Sequence, residues 1–568
     1  MGIRIFPFVA PEGFSDQPVA GTHFYSQGFT PSIFGLSTLY SLQSQIDSGT
    51  VSGMGNIKYF ATLAGFIYAM DDNGNVLKEA TKGAYNFSIV RSPGGNGAGL
   101  LGDQYGRLFY STNTELGTYD GTTWNDSFKG FNTAGQHPGD TYEDLVVWAD
   151  GQNIACLYSD GSWNAAAFSM PSGMTINAVR SGPTGILIGA NYGYQGAIVL
   201  WDGNALRSKT TWKWVKGQIL SIERYNEEWL VKTTREVVVT NGYTVRHLFG
   251  VIDDPLALNG YEALTTLPQQ MTLINDMLIF SNVLSDNGPS SHEFGKFKAG
   301  LYLYSISHHA WTYIPIPTLN TINPVVYAIY ADINFQNRIL VSYRDGTIGK
   351  NYIGILANVP PKSATFVSEV IGIGRPHFQR SYFGPTKKVP EAVILNLGIL
   401  NSLTDPVSET FTVSLKIYDF KRQLWGKQVT NNVSGAGNQI RVDGTNASFS
   451  IGQVGDEVTV LQGVNAGQIG HIQSITNQGT NAETWTLDTT FPNNTETSIY
   501  LQVQPFHFIG TKTFNNLAQL KKMFFSINDQ CRGTQFLTKI VLTGIGTNLQ
   551  LELQSSYFIF NDLGYDQT

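Results

Sequence analysis

The chain has 568 residues, a net charge of −7 and a charged fraction of 14%, whereas globular chains usually have about 25%. It has no block of Lys and Arg with which a protein clamps nucleic acid. Its two cysteines, Cys156 and Cys531, give neither a disulfide framework nor metal-ligand spacing. No apolar run approaches the ~18 residues of a membrane span, so we expect no membrane insertion.

Residues 1–54 are interpreted as an N-terminal arm. The chain begins with Pro7, Pro11 and Glu12 in place of a sustained apolar run. It therefore does not look like a usual signal peptide, and we expect synthesis in the cytoplasm. Further along the arm, the stretch AGTHFYSQGFTPSIFGLSTLYSL is expected to supply a strand that closes the following domain.

Residues 55–357 contain short alternating apolar runs that break at a turn and then resume. Apart from one longer step, the turns recur at close to the ~40–45 residues of a four-stranded propeller blade. An Asp or Asn near a Gly suits hairpin turns that need positive φ. The interpreted blade turns are Asp72, Asp120, Asp160, Asp202, Asn241 and Asp345. The pattern predicts an all-β fold that begins with a six- or seven-bladed β-propeller.

Beyond residue 357 the alternating runs become longer, as in VSLKIYDFKRQLWGK and LTKIVLTGIG. Runs of this kind predict an antiparallel β-sandwich. We assign the sandwich to residues 358–428 and 507–568. It is split by a segment rich in Gly, Asn and Thr, residues 429–506, which is expected to be a small inserted β-barrel.

Within the insert, GDEVTVLQGVNAGQIGHIQSI resembles the KOW motif of SH3-like barrels. The resemblance implies glycines that turn the chain between short, curved strands. KOW modules often touch RNA, but residues 442–511 contain no Lys or Arg. Since nucleic-acid binding depends on cations that neutralise phosphates, a structural barrel is the better interpretation.

The stretch LYSDGSWNAAAF, residues 157–168, resembles the sialidase Asp-box, although Gly161 follows Asp160 one residue too early. A glycosidase also needs two converging carboxylates, and the adjacent acidic pairs of this chain would point to opposite faces of a strand. The sequence therefore predicts no catalytic residue, and no metal or cofactor site.

Tryptophans near the turns could stack on sugars, although packing between blades explains them as well. The candidates are Trp124, Trp163, Trp201, Trp212, Trp214 and Trp311. We single out Trp124 and Trp163 as the possible glycan-stacking pair.

The propeller turns, the stretch LAGFIYAMDDNGNV and the late sandwich strands together resemble the β-propeller nozzle or tail-hub proteins of short-tailed bacteriophages. The resemblance implies a non-enzymatic virion protein of the tail, a homohexameric ring below the portal and adaptor. Its partners would be further copies of itself, portal, adaptor and tail fibre proteins. Viral DNA would be retained and then pass through without sequence-specific binding.

Two alternatives remain open at this stage. The first is a glycan-binding propeller that recognises the host. The second is a propeller glycosidase, which would have to turn over a polysaccharide through an Asp or Glu pair.

Overall fold

The structure, a computed structural model, is described for the strands and many of their connecting turns. The described residues are 2–7, 25–27, 30–32, 35–37, 41–204, 208–250, 269–274, 277–282, 300–306, 310–314, 325–332, 338–344, 349–357, 363–367, 388–402, 411–419, 429–433, 437–443, 445, 452–460, 468–491, 496–504, 507–514, 523–527, 536–544 and 549–562. Within them, no helical segment has the length and apolar character needed to span a bilayer. The fold is all-β, as the sequence predicts.

The N-terminal arm contributes short strands to sheets that are otherwise built from distant parts of the chain. These strands are β1 (Gly2–Pro7), β2 (Tyr25–Gln27), β3 (Thr30–Ser32), β4 (Gly35–Ser37) and β5 (Ser41–Asp47). β3 pairs with β4 inside the arm, whereas β1, β2, β4 and β5 pair with strands far along the sequence. These distant pairings tie the arm to the body of the protein.

Six groups of four antiparallel strands follow in chain order, and within each group consecutive strands pair. We call them sheets one to six. The strands are β6 (Ile57–Leu63), β7 (Phe66–Asp71), β8 (Val76–Glu79), β9 (Phe87–Arg91); β10 (Gly97–Gly102), β11 (Leu108–Thr112), β12 (Glu115–Tyr119), β13 (Trp124–Gly130); β14 (Gly139–Tyr142), β15 (Leu145–Asp150), β16 (Asn153–Leu157), β17 (Trp163–Ser169); β18 (Thr175–Gly182), β19 (Gly185–Tyr192), β20 (Gln195–Trp201), β21 (Lys213–Val215); β22 (Ile219–Tyr225), β23 (Glu228–Thr233), β24 (Glu236–Thr240), β25 (Val245–Gly250); β26 (Met271–Ile274), β27 (Met277–Asn282), β28 (Gly300–Ser305) and β29 (Ala310–Ile314).

A further four-stranded sheet, sheet seven, combines both ends of this region. It contains β30 (Val325–Asp332), β31 (Arg338–Arg344) and β32 (Asn351–Ala357), and β5 of the arm is its fourth strand. Asp47, at the end of β5, accepts a 2.9 Å hydrogen bond from Lys350, and this bond lowers the pKa of Asp47 to about 2. The arm strand that joins this sheet, Ser41–Asp47, overlaps the stretch expected to close the following domain only at Ser41 and Leu42.

The first strands of these sheets contact one another in turn. β6 lies next to β10, β10 next to β14, β14 next to β18, β18 next to β22, β22 next to β26, β26 next to β30, and β30 again next to β6. Apolar side chains fill the spaces between neighbouring sheets, as where Phe60 and Leu77 of sheet one pack with Leu340 and Ile353 of sheet seven. A closed ring of four-stranded antiparallel sheets is a β-propeller.

Sheet six does not end at β29. The β-ladder continues through β2, β33 (Ser363–Val367), β44 (Phe536–Thr543), β35 (Phe411–Asp419) and β42 (His507–Phe514), which makes one sheet of nine strands. A separate six-stranded sheet contains β1, β3, β4, β34 (Lys388–Ser402), β43 (Met523–Ser526) and β45 (Leu549–Asp562). We call the four strands β33, β44, β35 and β42 the C-terminal sheet.

The remaining strands form a six-stranded sheet of their own, which we call the inserted sheet. They are β36 (Val429–Val433), β37 (Gly437–Val442), β38 (Glu457–Val460), β39 (Ile469–Thr476), β40 (Glu483–Phe491) and β41 (Glu496–Gln504). Their core contains Val458, Ile472, Trp485 and Leu487 and draws only on residues of this sheet. The inserted sheet falls within the segment that the sequence sets apart, residues 429–506.

Candidate functional site

The interpreted blade turns occupy two different places in the sheets. Asp120, Asp160, Asp202 and Asn241 follow the third strand of sheets two to five. Asp72 instead follows the second strand of sheet one. Asp345 lies outside the described residues, between β31 and β32.

Asp120 shows how these turns are built. Its Oδ1 accepts the backbone N–H groups of Thr122 at 2.8 Å and Thr123 at 2.7 Å, and these bonds lower the pKa of Asp120. Gly121, between Asp120 and Thr122, has φ +96°, a conformation that glycine adopts without steric cost. The carboxylate at this exposed turn therefore serves the backbone.

A more regular series of polar residues marks the ends of the second strands. Its members are buried and recur every 38 to 42 residues: Asp71, Thr112, Asp150, Asn191 and Thr233. Asp71 accepts the N–H of Gly55 at 2.7 Å, and Asp150 accepts the N–H of Asn132 at 2.7 Å. The Asp71 carboxylate thus ties the segment that leads into sheet one to β7. The Asp150 carboxylate ties the segment that leaves sheet two to β15 of sheet three. In the sequence, such a position can be recognised as a polar residue at the end of an apolar run.

The two candidate sugar-stacking tryptophans pack within the propeller. Trp124 is half-buried and stacks on Tyr119 with ring centroids 4.1 Å apart and planes at 18°. Trp163 is also half-buried and meets Phe131 edge-on at 6.2 Å. Each ring therefore already has an aromatic partner from the protein.

The other tryptophans differ in exposure. Trp201 is fully buried and Trp212 is half-buried, whereas 53% of Trp214 is exposed. The side chain of Trp311 lies outside the described residues. Trp214 of β21 is the register partner of Ala197 of β20.

Two tyrosines on sheet four are exposed together with Trp214. Tyr192 is 56% exposed and Tyr194 is 87% exposed, and they flank Gly193 in the turn between β19 and β20. Side chains alternate between the two faces along β19, and β20 pairs in register with β19 on one side and with β21 on the other. This register places Tyr192 of β19 on the same face of sheet four as Trp214 of β21. We call these three residues the aromatic edge.

The first strands of all seven sheets enclose a cavity of about 420 Å³. Its lining includes Thr62, Asp140, Arg180, Glu223 and Tyr330. These side chains come from five different sheets and meet because the innermost strands converge on the ring axis. The volume is typical of a small-molecule pocket, for which ~300–1,000 Å³ is usual.

Arg180 connects three sheets inside this cavity. Its Nη2 lies 2.7 Å from Oε1 of Glu223 on sheet five, and its Nη1 lies 3.8 Å from Oδ2 of Asp140 on sheet three. Asp140 Oδ2 also accepts hydrogen bonds from the backbone N–H and hydroxyl of Ser181, at 2.8 and 2.9 Å. The Glu223 carboxylate, helped by Asp140, raises the pKa of Arg180 in spite of burial, which acts in the opposite direction.

Two further links cross the cavity wall. The hydroxyls of Tyr330 on sheet seven and Thr62 on sheet one lie 2.6 Å apart. The Gln269 amide receives the N–H of Phe60 at 2.8 Å and donates to the Phe60 carbonyl at 3.0 Å. Burial raises the pKa of Tyr330.

The chemistry of the cavity follows from these pairings. One guanidinium neutralises both Asp140 and Glu223, whereas a glycosidase pair needs one carboxylic acid and one free carboxylate. Among the described residues, no group of three or more His, Cys, Asp or Glu is placed to hold a metal ion. The arrangement joins neighbouring sheets and narrows the axial cavity.

The class that these strands define is the β-propeller, extended by a C-terminal sheet and an inserted sheet. No protein-family model matches the chain, and no curated protein sequence matches it.

Several solved propellers are similar in fold. The WD40 β-propeller domain of Doa1 is 9% identical, has a TM-score of 0.40, and aligns with 55% of this chain and 96% of its own. The β-propeller domain of Myceliophteria thermophila Cps50 (Swd1) is 13% identical with a TM-score of 0.37, over 53% and 96%. The Neurospora crassa Pan2 WD40 domain is 9% identical with a TM-score of 0.37, over 56% and 95%.

Proposed function

We propose that this chain is a structural component of a bacteriophage tail, part of the nozzle or hub below the portal–adaptor complex. In that role it retains the genomic DNA and then conducts it during ejection. The role is non-enzymatic and needs no cofactor. The protein is made in the host cytoplasm and ends in the virion.

The observation that carries the proposal is the nine-stranded sheet. Gln27 of β2 pairs in parallel with Tyr313 of β29, and Ser26 pairs with Phe366 of β33. Backbone hydrogen bonds therefore run from the propeller through the arm into the C-terminal sheet. Such continuity transmits load between the two parts without a flexible linker, which suits a component of a mechanical assembly.

The finer architecture belongs to the same proposal. We infer seven blades from the closed sequence of first-strand contacts, with β5 completing the seventh blade. We infer that the C-terminal sheet and the six-stranded sheet around β34 and β45 form the sandwich. Phe525 of the latter lies 5.6 Å from the Lys512 ammonium of the former, which supports this packing. We interpret the inserted sheet as the small SH3/KOW-like barrel.

The dimensions of the axial cavity constrain the DNA path. The major groove of B-DNA alone is about 12 Å wide, and a cavity of about 420 Å³ crossed by Arg180 and Glu223 leaves no room for a duplex. In our proposal the DNA passes along the axis of a ring of subunits, not through one propeller. We expect a homohexamer that contacts the portal, the adaptor and the tail fibre proteins.

The proposal is tested by assembly. Native mass spectrometry and electron cryomicroscopy of the purified chain at high concentration should show closed rings, or a complex with the portal–adaptor assembly of the same virus. Ring interfaces of this kind often bury about 2,000 Å² or more. A chain that stays monomeric and does not bind the portal–adaptor assembly would contradict the proposal.

The aromatic edge supports a second candidate function, glycan binding. Its three exposed rings combine flat apolar faces with polar groups, which suits stacking on sugars. A glycan array with wild type, Trp214→Ala and Tyr194→Ala tests this function. Tyr105→Ala is the matched control, because Tyr105 is 51% exposed in the turn between β10 and β11. Specific binding that both edge variants lose and the control keeps would favour the glycan-binding candidate.

The glycosidase alternative requires a different result. It needs turnover of a polysaccharide that disappears when a single Asp or Glu is replaced by its amide. Arg180 neutralises both cavity carboxylates. We therefore expect neither Asp140→Asn nor Glu223→Gln to be a substitution that abolishes polysaccharide turnover.

A further inference from the structure

The inserted sheet and the C-terminal sheet meet at a buried cluster of opposite charges. Glu457, the first residue of β38, accepts hydrogen bonds from the ammonium groups of Lys416 and Lys539. Glu457 is fully buried, and each lysine is only 6% exposed. One carboxylate from the inserted sheet therefore serves two cations of the C-terminal sheet.

The two lysines are held side by side by the strands that carry them. Lys416 of β35 and Lys539 of β44 are register partners, and directly opposed side chains have Cβ atoms about 4.5–5.5 Å apart. Two ammonium groups at that spacing repel each other unless an anion lies between them. Glu457 is that anion, with one oxygen directed to each lysine.

The inserted sheet supports Glu457 from behind. His471 of β39 is the register partner of Glu457, and its Nε2 lies 3.5 Å from Glu457 Oε2. The other ring nitrogen lies 2.7 Å from Asp488, which also accepts the backbone N–H of His471 at 2.6 Å. Burial alone would raise the pKa of Glu457, but Lys539, His471 and Lys416 more than offset it, and the pKa is held well below its usual range.

The two sheets are otherwise built independently. Every described strand pairing of the inserted sheet lies within that sheet, and its apolar core is its own. In the described part of the chain, no β-ladder joins it to the C-terminal sheet. The charged cluster is thus a buried contact that spans the boundary between two sheets with no described β-ladder in common.

We propose that Glu457, Lys416 and Lys539 form an electrostatic latch that holds the inserted sheet against the C-terminal sheet. Removal of the Glu457 charge releases the inserted sheet while both sheets remain folded. The latch is a property of the fold and does not depend on the proposed role in a phage tail.

The test is hydrogen exchange, followed by mass spectrometry, on the full chain with Glu457→Gln. This substitution preserves shape and one acceptor oxygen but leaves two buried cations without an anion. We expect amides of β44 around Lys539 and of β38 to exchange at least tenfold faster. Amides of β40 around Trp485 should keep the wild-type rate, and small-angle scattering should show a larger radius of gyration.

Glu483→Gln is the matched control. Glu483 is also a buried glutamate of the inserted sheet, but it accepts from Trp485 Nε1 at 2.7 Å and from the N–H of Gly479 at 2.7 Å, both within the same sheet. This control should speed exchange in β40 and leave β44 and the radius of gyration unchanged.

A charge-free triple variant, Lys416→Met with Glu457→Met and Lys539→Met, should bring β44 exchange back within about threefold of wild type. Replacement of a whole buried ion cluster by apolar side chains is often neutral or stabilising. The proposal fails if Glu457→Gln leaves β44 unchanged or speeds β40 as much as β44. It also fails if the triple variant exchanges in β44 as fast as the single one.

Discussion

The Arg180 guanidinium lies 2.7 Å from the Glu223 carboxylate across the boundary between the fourth and fifth sheets of the propeller. Of the Arg180 side chain, 39% is exposed, and Arg180 lines the axial cavity. The pair therefore stands in a confined space where solvent screening is weaker than at an open surface. Asp140 on the other side of Arg180 makes the guanidinium a bridge between three sheets.

We predict that Arg180→Met lowers the free energy of unfolding by about 2 kcal/mol, because it leaves two carboxylates without their cation. Urea denaturation at neutral pH measures this change. The control is Arg246→Met, since Arg246 is 69% exposed and 3.5 Å from Glu228. The control should change the free energy of unfolding by less than about 0.5 kcal/mol. Equal effects of the two substitutions would contradict a bridging role for Arg180.

The aromatic pairs of sheet two make a separate prediction. Trp124→Ala removes a ring stacked on Tyr119 and packed against Tyr110, so we expect a loss of about 2 kcal/mol of stability. Trp214→Ala, at an exposed position, should stay within about 0.5 kcal/mol of wild type. Thermal unfolding of both variants gives the comparison. A Trp124→Ala protein as stable as wild type would show that the stack contributes little.

The propeller class could be predicted from the sequence because it depends on local signals. Alternating apolar residues and Asp or Asn near Gly specify short strands and tight turns wherever they occur. The spacing of the Asp and Asn turns is a weak mark of the repeat, because Asp72 follows a second strand and Asp120 a third. The buried series that contains Asp71 and Asp150 is the more faithful mark of the repeat.

The cavity and the latch could not be predicted in the same way. Asp140, Arg180 and Glu223 are single charges on separate strands, and only ring closure brings them together. Glu457 and its two lysines are likewise distant in sequence and meet through tertiary packing. The pairing of β5 with β32 depends on a register across some three hundred residues, for which no local pattern exists.

The bridge through β2 predicts a backbone effect. Ser26 lies in a strand with a neighbour on each side, β29 and β33, so a proline there removes a ladder hydrogen bond and crowds the sheet. We expect Ser26→Pro to cost about 1–3 kcal/mol, because a backbone partner loses its hydrogen bond, and to split calorimetric unfolding into two transitions. Ser26→Ala keeps the N–H group and should unfold as wild type does. A single, unshifted transition for Ser26→Pro would argue against load transfer through β2.

Lys232 predicts how stability depends on pH. It lies on β23 with 1% of its surface exposed, its ammonium is 3.3 Å from the Gln270 side-chain oxygen, and burial lowers its pKa to about 7. The unfolded chain keeps this proton up to about pH 10.4. Between pH 7 and that value the unfolded state binds more protons, so the free energy of unfolding rises with pH. Below pH 7 both states are protonated, and the contribution is constant and unfavourable.

The difference between wild type and Lys232→Met isolates this titration. We expect Lys232→Met to be the more stable protein at pH 7, and its advantage to shrink by up to about 5 kcal/mol as the pH rises to 10.4. Urea denaturation across that range measures the change. Lys82→Met, at an exposed lysine, should run parallel to wild type at every pH. If the advantage of Lys232→Met were independent of pH, Lys232 would titrate alike in the folded and unfolded chains, and burial would not be what sets its pKa.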